Sequence, residues 1–279
     1  MQNNISIQGL TKNFKDFRLD GVSFDVPAGC VVGFIGENGA GKSTTIKSVL
    51  GLIRPDGGQI SVFGREELTE KEKGEIGAVL GENCLPENLT LKDVSKVMRL
   101  IFRNWNEGDF FSFSEKFRLP TDKRIREFSR GMQQKAALAV ALSHGARLLV
   151  LDEPTSGLDP VARDEILDIL YDFMQDEKRS ILISSHILSD LEKLCDYIVF
   201  IHGGKIIFSE EKDSLYGKYA IFRGAAEECA ALGDAAKAYI RGDFGISALV
   251  LRDKVPAGMR LEKANIEDIM LYYSRGERL

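Results

Sequence analysis

The sequence lacks the features of a disulfide-stapled or membrane-spanning protein. Its four cysteines are far apart, with no CxxC pair and no Cys/His cluster, which indicates reduced thiols rather than a zinc site or a disulfide framework. No apolar run approaches the roughly 18 residues that a membrane helix needs. The first ten residues also lack a basic stretch followed by an apolar one. We therefore expect a chain that is neither exported nor membrane-spanning, although it could dock on a membrane protein.

Proline is also scarce, and positive charge does not exceed negative charge. Only 7 of the 279 residues are proline, whereas 44 % are hydrophobic and 28 % charged, as in ordinary globular proteins. The 37 Lys and Arg against 42 Asp and Glu leave a net charge of −5, which argues against a wide basic face for nucleic acid. A chain of this length forms about two domains, or one large domain with an appendage.

Three short apolar runs predict buried strands of a parallel sheet. They are Val31 to Ile35, Leu148 to Leu151 and Ile181 to Ile183, and each is followed by a helical pattern. A glycine-rich loop follows the first run and polar residues follow the other two, at the strand ends where open α/β sheets bind their ligands. The sequence therefore predicts an α/β fold with a ligand site at this edge.

Two further regions depart from this strand and helix alternation. Between Pro86 and Phe128, a capping box at Thr90 precedes helically spaced apolar residues, which predicts a helical insert. Beyond about residue 210, apolar runs and a helix capped at Asn265 predict a small α+β appendage in which we find no chemical motif. We expect a main domain over 1–210, with a helical subdomain at about 86–140, and an accessory domain over 211–279.

The first strand leads into a glycine-rich loop that fits GxxxxGK[ST], from Gly36 to Ser43. Such a loop between a strand and a helix turns backbone N–H groups toward phosphate oxygens, and the helix N-terminus adds positive potential. We expect Lys42 to hold the β- and γ-phosphates and Ser43 to bind Mg²⁺. The other predicted nucleotide contacts of this loop are Asn38, Gly39, Ala40, Gly41 and Thr44.

A pair of carboxylates follows the second strand. Asp152 is suited to the Mg²⁺ shell, and Glu153 to orienting or deprotonating an attacking water. The alternative is two acidic residues that only cap a strand end. Together with the glycine-rich loop, the pair predicts a site that hydrolyses a nucleoside triphosphate.

These residues resemble the nucleotide-binding subunits of ATP-binding-cassette (ABC) transporters over about residues 3–210. The resemblance includes Phe128-Ser129-Arg130-Gly131-Met132 at the place of the family's LSGGQ signature, from which Arg130 and Met132 depart. It also includes Ser156-Gly157-Leu158-Asp159, similar to the D-loop, and His186, similar to the switch histidine. It implies a P-loop NTPase fold of the ABC type with ATP and Mg²⁺ as cofactors.

The resemblance also implies roles for single residues. Ser129 and Gly131 are expected to bind the γ-phosphate of ATP held by a partner subunit, Asp159 to be a nucleotide-binding residue, and His186 to reach the γ-phosphate and Glu153. Phe14 stands where similar proteins stack an aromatic ring on adenine, although a simple core phenylalanine is the alternative.

The family's Q-loop glutamine is replaced in this sequence. Gly81 stands at its position, and the neighbouring Glu82 is the candidate metal ligand, with a solvated surface glutamate as the alternative.

The resemblance further implies an ATPase at the cytoplasmic face of the membrane that powers a separate transmembrane permease. It would act as a homodimer or heterodimer of nucleotide-binding subunits, without nucleic acid, and would be peripheral to the membrane. It is most similar to exporter-type bacterial subunits. Two alternatives stay open: a soluble ABC-type ATPase acting on the ribosome or DNA, and a subunit that senses ATP without hydrolysing it.

Overall fold

A computed structural model describes residues 2–81, 85–242 and 245–277 of the chain. The described residues form thirteen strands and ten α-helices. The strands are β1 Asn3–Asn13, β2 Arg18–Pro27, β3 Val31–Ile35, β4 Gly57–Val62, β5 Ile76–Val79, β6 Leu148–Asp152, β7 Ser180–Ser184, β8 Tyr197–His202, β9 Lys205–Glu211, β10 Tyr219–Gly224, β11 Ala236–Gly242, β12 Gly245–Leu251 and β13 Leu261–Lys263. The helices are α1 Lys42–Val49, α2 Glu70–Lys73, α3 Leu91–Ile101, α4 Glu107–Lys116, α5 Arg130–Leu142, α6 Pro160–Phe173, α7 Leu188–Leu194, α8 Lys212–Lys218, α9 Ala226–Ala230 and α10 Ile266–Arg275.

The central sheet has six strands in the order β5-β6-β7-β3-β8-β9. All neighbours are parallel except β8 and β9, which form an antiparallel hairpin. Every residue of β3, β6 and β7 is buried, as expected for strands covered on both faces by other elements. The α/β fold predicted from the three apolar runs is confirmed.

Beside this sheet lies an antiparallel sheet in the order β2-β1-β4. Apolar side chains of β1 and β2, such as Ile5, Leu10 and Val22, share one buried cluster with Phe34 of β3 and Ile46 of α1. Burial of these side chains fixes α1, and with it the loop before it, against both sheets.

Three helices, α3 to α5, lie between β5 and β6 in the sequence. The capping box predicted at Thr90 is present, because the Thr90 hydroxyl accepts from the Asp93 N–H and the Asp93 side chain accepts from the Thr90 N–H. The last of these helices ends at Leu142 and packs on β5. A Cβ on Gly77 of β5 would lie 2.6 Å from the Ala141 carbonyl oxygen, so helix and strand approach too closely for any other residue.

The C-terminal strands form a separate antiparallel sheet in the order β11-β12-β10-β13. One of its faces, with Ile221 and Leu249, joins α10 in the same buried cluster as the central sheet. The Tyr219 and Tyr273 hydroxyls lie 3.0 Å apart within this contact. Among the described residues, no helix is long and apolar enough to span a bilayer.

Candidate ATP site

The loop between β3 and α1 forms a cradle of backbone groups. Gly39 and Gly41 take left-handed φ angles of 81° and 115°, which glycine adopts without strain. A Cβ on Gly41 would lie 2.4 Å from Leu19 Cδ2, so that position has no room for a side chain. The structure describes no side chain that caps the start of α1. The loop and helix N-terminus therefore present N–H groups to an anion.

Lys42 is folded back over this loop and is nearly buried. Its Nζ donates to the carbonyl oxygens of Gly36 at 2.7 Å and Glu37 at 3.3 Å. Burial lowers the pKa of this ammonium from its usual range, and the nearby carboxylates of Glu153 and Asp152 oppose that shift. The lysine is thus positioned as a cation at the bottom of the cradle.

A pocket of about 560 Å³ opens over the loop. Phe14 lies at its rim with 47 % of its surface exposed, and its ring is tilted by 32° against Phe17 at 6.3 Å between centroids. The pocket is lined by Phe14, Asp16, Phe17, Glu37, Asn38, Gly39, Gly41, Lys42, Ser43, Thr44 and Glu153. Of the predicted loop contacts only Ala40 is not among these lining residues, since it is buried behind the loop.

Two carboxylates lie at the same edge of the sheet, Asp152 at the end of β6 and Glu153 directly after it. Asp152 is buried and accepts a hydrogen bond from Ser184 Oγ at 2.5 Å. Glu153 Oε1 is 3.9 Å from Lys42 Nζ, and its Oε2 is hydrogen-bonded to His186 Nδ1 at 2.5 Å. The structure thus brings together Lys42, Glu153 and His186, which come from three different strand ends.

The backbone of Glu153 is itself unusual. Its φ of 54° lies in the left-handed region, which costs a residue with a side chain on the order of 1–3 kcal/mol. Its N–H donates to the Ser184 carbonyl oxygen at 3.1 Å, and its own carbonyl accepts from Gln134 Nε2 at 2.5 Å. These bonds hold the strained conformation. The sequence reasoning missed Gln134, because nothing in the order of residues shows that α5 reaches this turn.

Other predicted site residues lie away from the pocket lining. Ser129 caps α5 by accepting from the Met132 N–H at 3.3 Å, and Asp159 caps α6 by accepting from the Val161 and Ala162 N–H groups. A Cβ on Gly131 would lie 2.7 Å from Leu158 Cδ2, so the signature-like and D-loop-like segments touch. Within the described chain, neither Ser129 nor Gly131 nor Asp159 lines the pocket over the loop.

The predicted Q-loop ligand, Glu82, lies outside the described residues. Gly81, which precedes it, is described, and a Cβ there would be 3.7 Å from the Asp152 carbonyl oxygen. The position that carries glutamine in similar proteins therefore borders the end of β6.

Comparison with known proteins agrees with this site. The family model described as ABC transporter matches residues 19–156, from β2 through the carboxylates after β6. The lantibiotic transport ATP-binding protein SrtF of Streptococcus pyogenes is 40 % identical over 212 residues, which cover 75 % of this chain and 91 % of that protein. The chain belongs to the ABC transporter ATP-binding family.

A further relative and a solved structure support the assignment of this chain to the family. The bacitracin transport ATP-binding protein BcrA of Bacillus licheniformis is 36 % identical over 212 residues, covering 74 % of this chain and 69 % of BcrA. A solved structure of an ATP-binding subunit of an ABC transporter matches with a TM-score of 0.67 at 30 % identity, covering 76 % of this chain and 91 % of that one. The predicted family, fold class, ATP binding and ATP hydrolysis are confirmed.

We predict that Lys42→Ala weakens ATP binding by roughly 10- to 150-fold, because a charge-assisted hydrogen bond to phosphate contributes about 1.5–3 kcal/mol. Titration with a fluorescent ATP analogue measures this. Lys92→Ala removes an exposed lysine of α3 and is the matched control, with unchanged affinity expected. Equal affinities of the Lys42→Ala variant and the wild type would contradict the assignment of the phosphate loop.

Proposed function

We propose that this ABC subunit powers export through a separate transmembrane permease, to which it binds at the cytoplasmic face of the membrane. The observation that carries ATP hydrolysis, the step that powers transport in this proposal, is the placement of Glu153 between the phosphate-loop lysine and His186. SrtF and BcrA are named for the transport of a lantibiotic and of bacitracin, which supports a transport function for this subunit.

In this proposal the nucleotide lies in the pocket over the phosphate loop. Phe14, exposed at the rim, stacks on adenine, while the loop amides and Lys42 bind the phosphates. Glu153 orients the attacking water and accepts its proton, which requires a carboxylate with a free lone pair near the γ-phosphate. His186 holds that carboxylate through Nδ1 and leaves its other ring edge for the γ-phosphate.

The residues at this site also fit Mg²⁺, which prefers oxygen ligands. The Ser43 hydroxyl at the start of α1 and the Asp152 carboxylate at the end of β6 would hold the ion. Asp152 suits this role because it is buried near Lys42 and Ser184 already orients one of its oxygens. When bound, the ion would neutralise charge on the phosphates.

We further propose that two nucleotide-binding subunits face each other head to tail, as a homodimer or a heterodimer. Ser129 and Gly131 at the start of α5 would then bind the γ-phosphate of ATP held by the partner, with Asp159 beside them. The close approach of the Leu158 side chain to Gly131, which brings the two segments together, supports a shared role for them. ATP binding would close this dimer, and hydrolysis would reopen it.

The proposed division of the chain follows from these roles. Residues 1–210 would be the ATP-binding domain, with a helical subdomain at about 86–140, and residues 211–279 an accessory domain. The shared buried cluster of α10 and the central sheet supports an accessory domain that moves together with the ATPase core.

The first prediction from this proposal concerns hydrolysis. We expect Glu153→Gln to keep ATP binding but lower phosphate release about 10²- to 10⁴-fold, because an amide cannot accept the proton of the water. The variant should accumulate as an ATP-bound dimer. Phosphate release and size-exclusion chromatography with ATP and Mg²⁺ measure the two effects.

The matched control is Glu177→Gln, which neutralises an exposed glutamate after α6. Its turnover should equal that of the wild type. Near-normal phosphate release from the Glu153→Gln variant would remove Glu153 from the proposed role.

The permease contact has a candidate surface on α3. Val97, Leu100 and Ile101 lie on one side of this helix at helical spacing and are 37 %, 87 % and 62 % exposed. A cluster of exposed apolar side chains typically marks an interaction site. We propose that this face contacts the cytoplasmic loops of the permease, since α3 is the next described helix after Gly81, which stands at the Q-loop position.

A second prediction tests that contact. Leu100→Glu should lower recovery of the tagged chain with membranes of its source organism by roughly tenfold, because a charge replaces apolar contact area. Its ATP affinity should not change. Leu271→Glu, at an exposed leucine of α10, is the control. Equal membrane recovery of both variants and the wild type would exclude the α3 face.

A further inference from the structure

An ion pair between the buried Asp190 and the partly exposed Arg163 joins α6 to α7 next to the site but outside it. Arg163 Nε and Asp190 Oδ2 lie 3.7 Å apart, and the two side chains are 26 % and 3 % exposed. Neither atom has a hydrogen-bond partner within residues 2–81, 85–242 and 245–277. A pair with this geometry and a buried carboxylate contributes little to stability, since desolvation offsets the attraction between the charges. Its position therefore needs another explanation.

The guanidinium of Arg163 also contacts the D-loop-like segment, Ser156 to Asp159. Its Nη2 lies 3.4 Å from the Leu158 carbonyl oxygen, to which it donates. The Leu158 side chain in turn packs against Gly131 at the start of α5. Arg163 thus supports, through Leu158, both segments that are proposed to serve the partner's ATP.

Asp190 leads to the hydrolytic side of the site. It lies in the first turn of α7, and its N–H donates to the Ile187 carbonyl at 3.2 Å. His186 immediately precedes Ile187 and is hydrogen-bonded to Glu153. The pair therefore connects the turn that carries His186 to the loop that carries Asp159.

We infer that Arg163 is a positioning residue for ATP hydrolysis, which holds the D-loop-like segment and the His186 turn in register through Leu158 and Asp190. The inference rests on the proposed roles of Glu153 and His186. A small displacement of a catalytic group lowers turnover strongly, whereas binding of ATP to the phosphate loop does not depend on this contact.

A second ion pair between the same helices provides the matched control. Lys193 Nζ and Asp164 Oδ1 lie 2.9 Å apart, and both side chains are 63 % exposed. This pair joins α6 to α7 without touching the loop at Leu158. If joining the two helices were the whole role of Arg163, neutralising either pair would have the same effect.

The test is the double variant Arg163→Met/Asp190→Asn, which removes both charges and leaves no unpaired buried ion. We expect kcat for ATP hydrolysis to fall about ten- to a hundredfold while KM for ATP stays within about twofold. Asp164→Asn/Lys193→Met should leave both constants unchanged. Wild-type kcat in the first variant, or an equal fall in both, would overturn the inference.

Arg163→Lys keeps the charge beside Asp190 and decides the question if the double variant does not fold. A single ammonium cannot span Leu158 and Asp190 as the guanidinium does, so kcat should still fall with KM unchanged. Wild-type kcat here would overturn the inference. Glu153→Gln assayed in parallel separates failure of this inference from failure of the proposed function. Normal turnover in that variant would contradict the proposed function itself.

Discussion

The site depends on the hydrogen bond between Glu153 and His186, which joins the ends of two neighbouring parallel strands. Asp152 pairs with Ser184 in the register of β6 and β7, so the residues that follow each strand leave the sheet side by side. Glu153 then turns back with a left-handed backbone and meets His186 at 2.5 Å. A shift of register by one residue would separate the carboxylate from the histidine and turn every side chain of the strand to the other face.

That geometry requires a strained backbone at Glu153, and hydrogen bonds from other elements offset the strain. The left-handed conformation of Glu153 is compensated by hydrogen bonds from its own N–H to Ser184 and from Gln134 to its carbonyl. Strain of this kind persists only where the surroundings over-determine it, and it is concentrated at functional sites. The helix of the signature-like segment therefore contacts Glu153, the residue proposed to activate water, within one chain.

Much of this arrangement could be predicted from the sequence, because it depends on local patterns. Apolar runs without alternation identified the three buried strands, and GxxxxGK[ST] identified the phosphate loop. A capping box identified the start of α3, and the cap at Asn265 identified that of α10. What could not be predicted depends on contacts between distant residues. The sequence shows neither the bond from Gln134 to Glu153 nor the pair of Arg163 and Asp190, since helix packing brings these residues together.

The most direct test of the account is ATP hydrolysis by the His186→Ala variant, with ATP affinity measured on the same preparation. If His186 holds Glu153 in place for attack on the γ-phosphate, kcat falls by at least about tenfold. The affinity for ATP then stays within about twofold, because the phosphate loop and Lys42 are intact. A His186→Ala variant with the kcat of the wild type would contradict the claim that the contact between Glu153 and His186 forms the hydrolytic site.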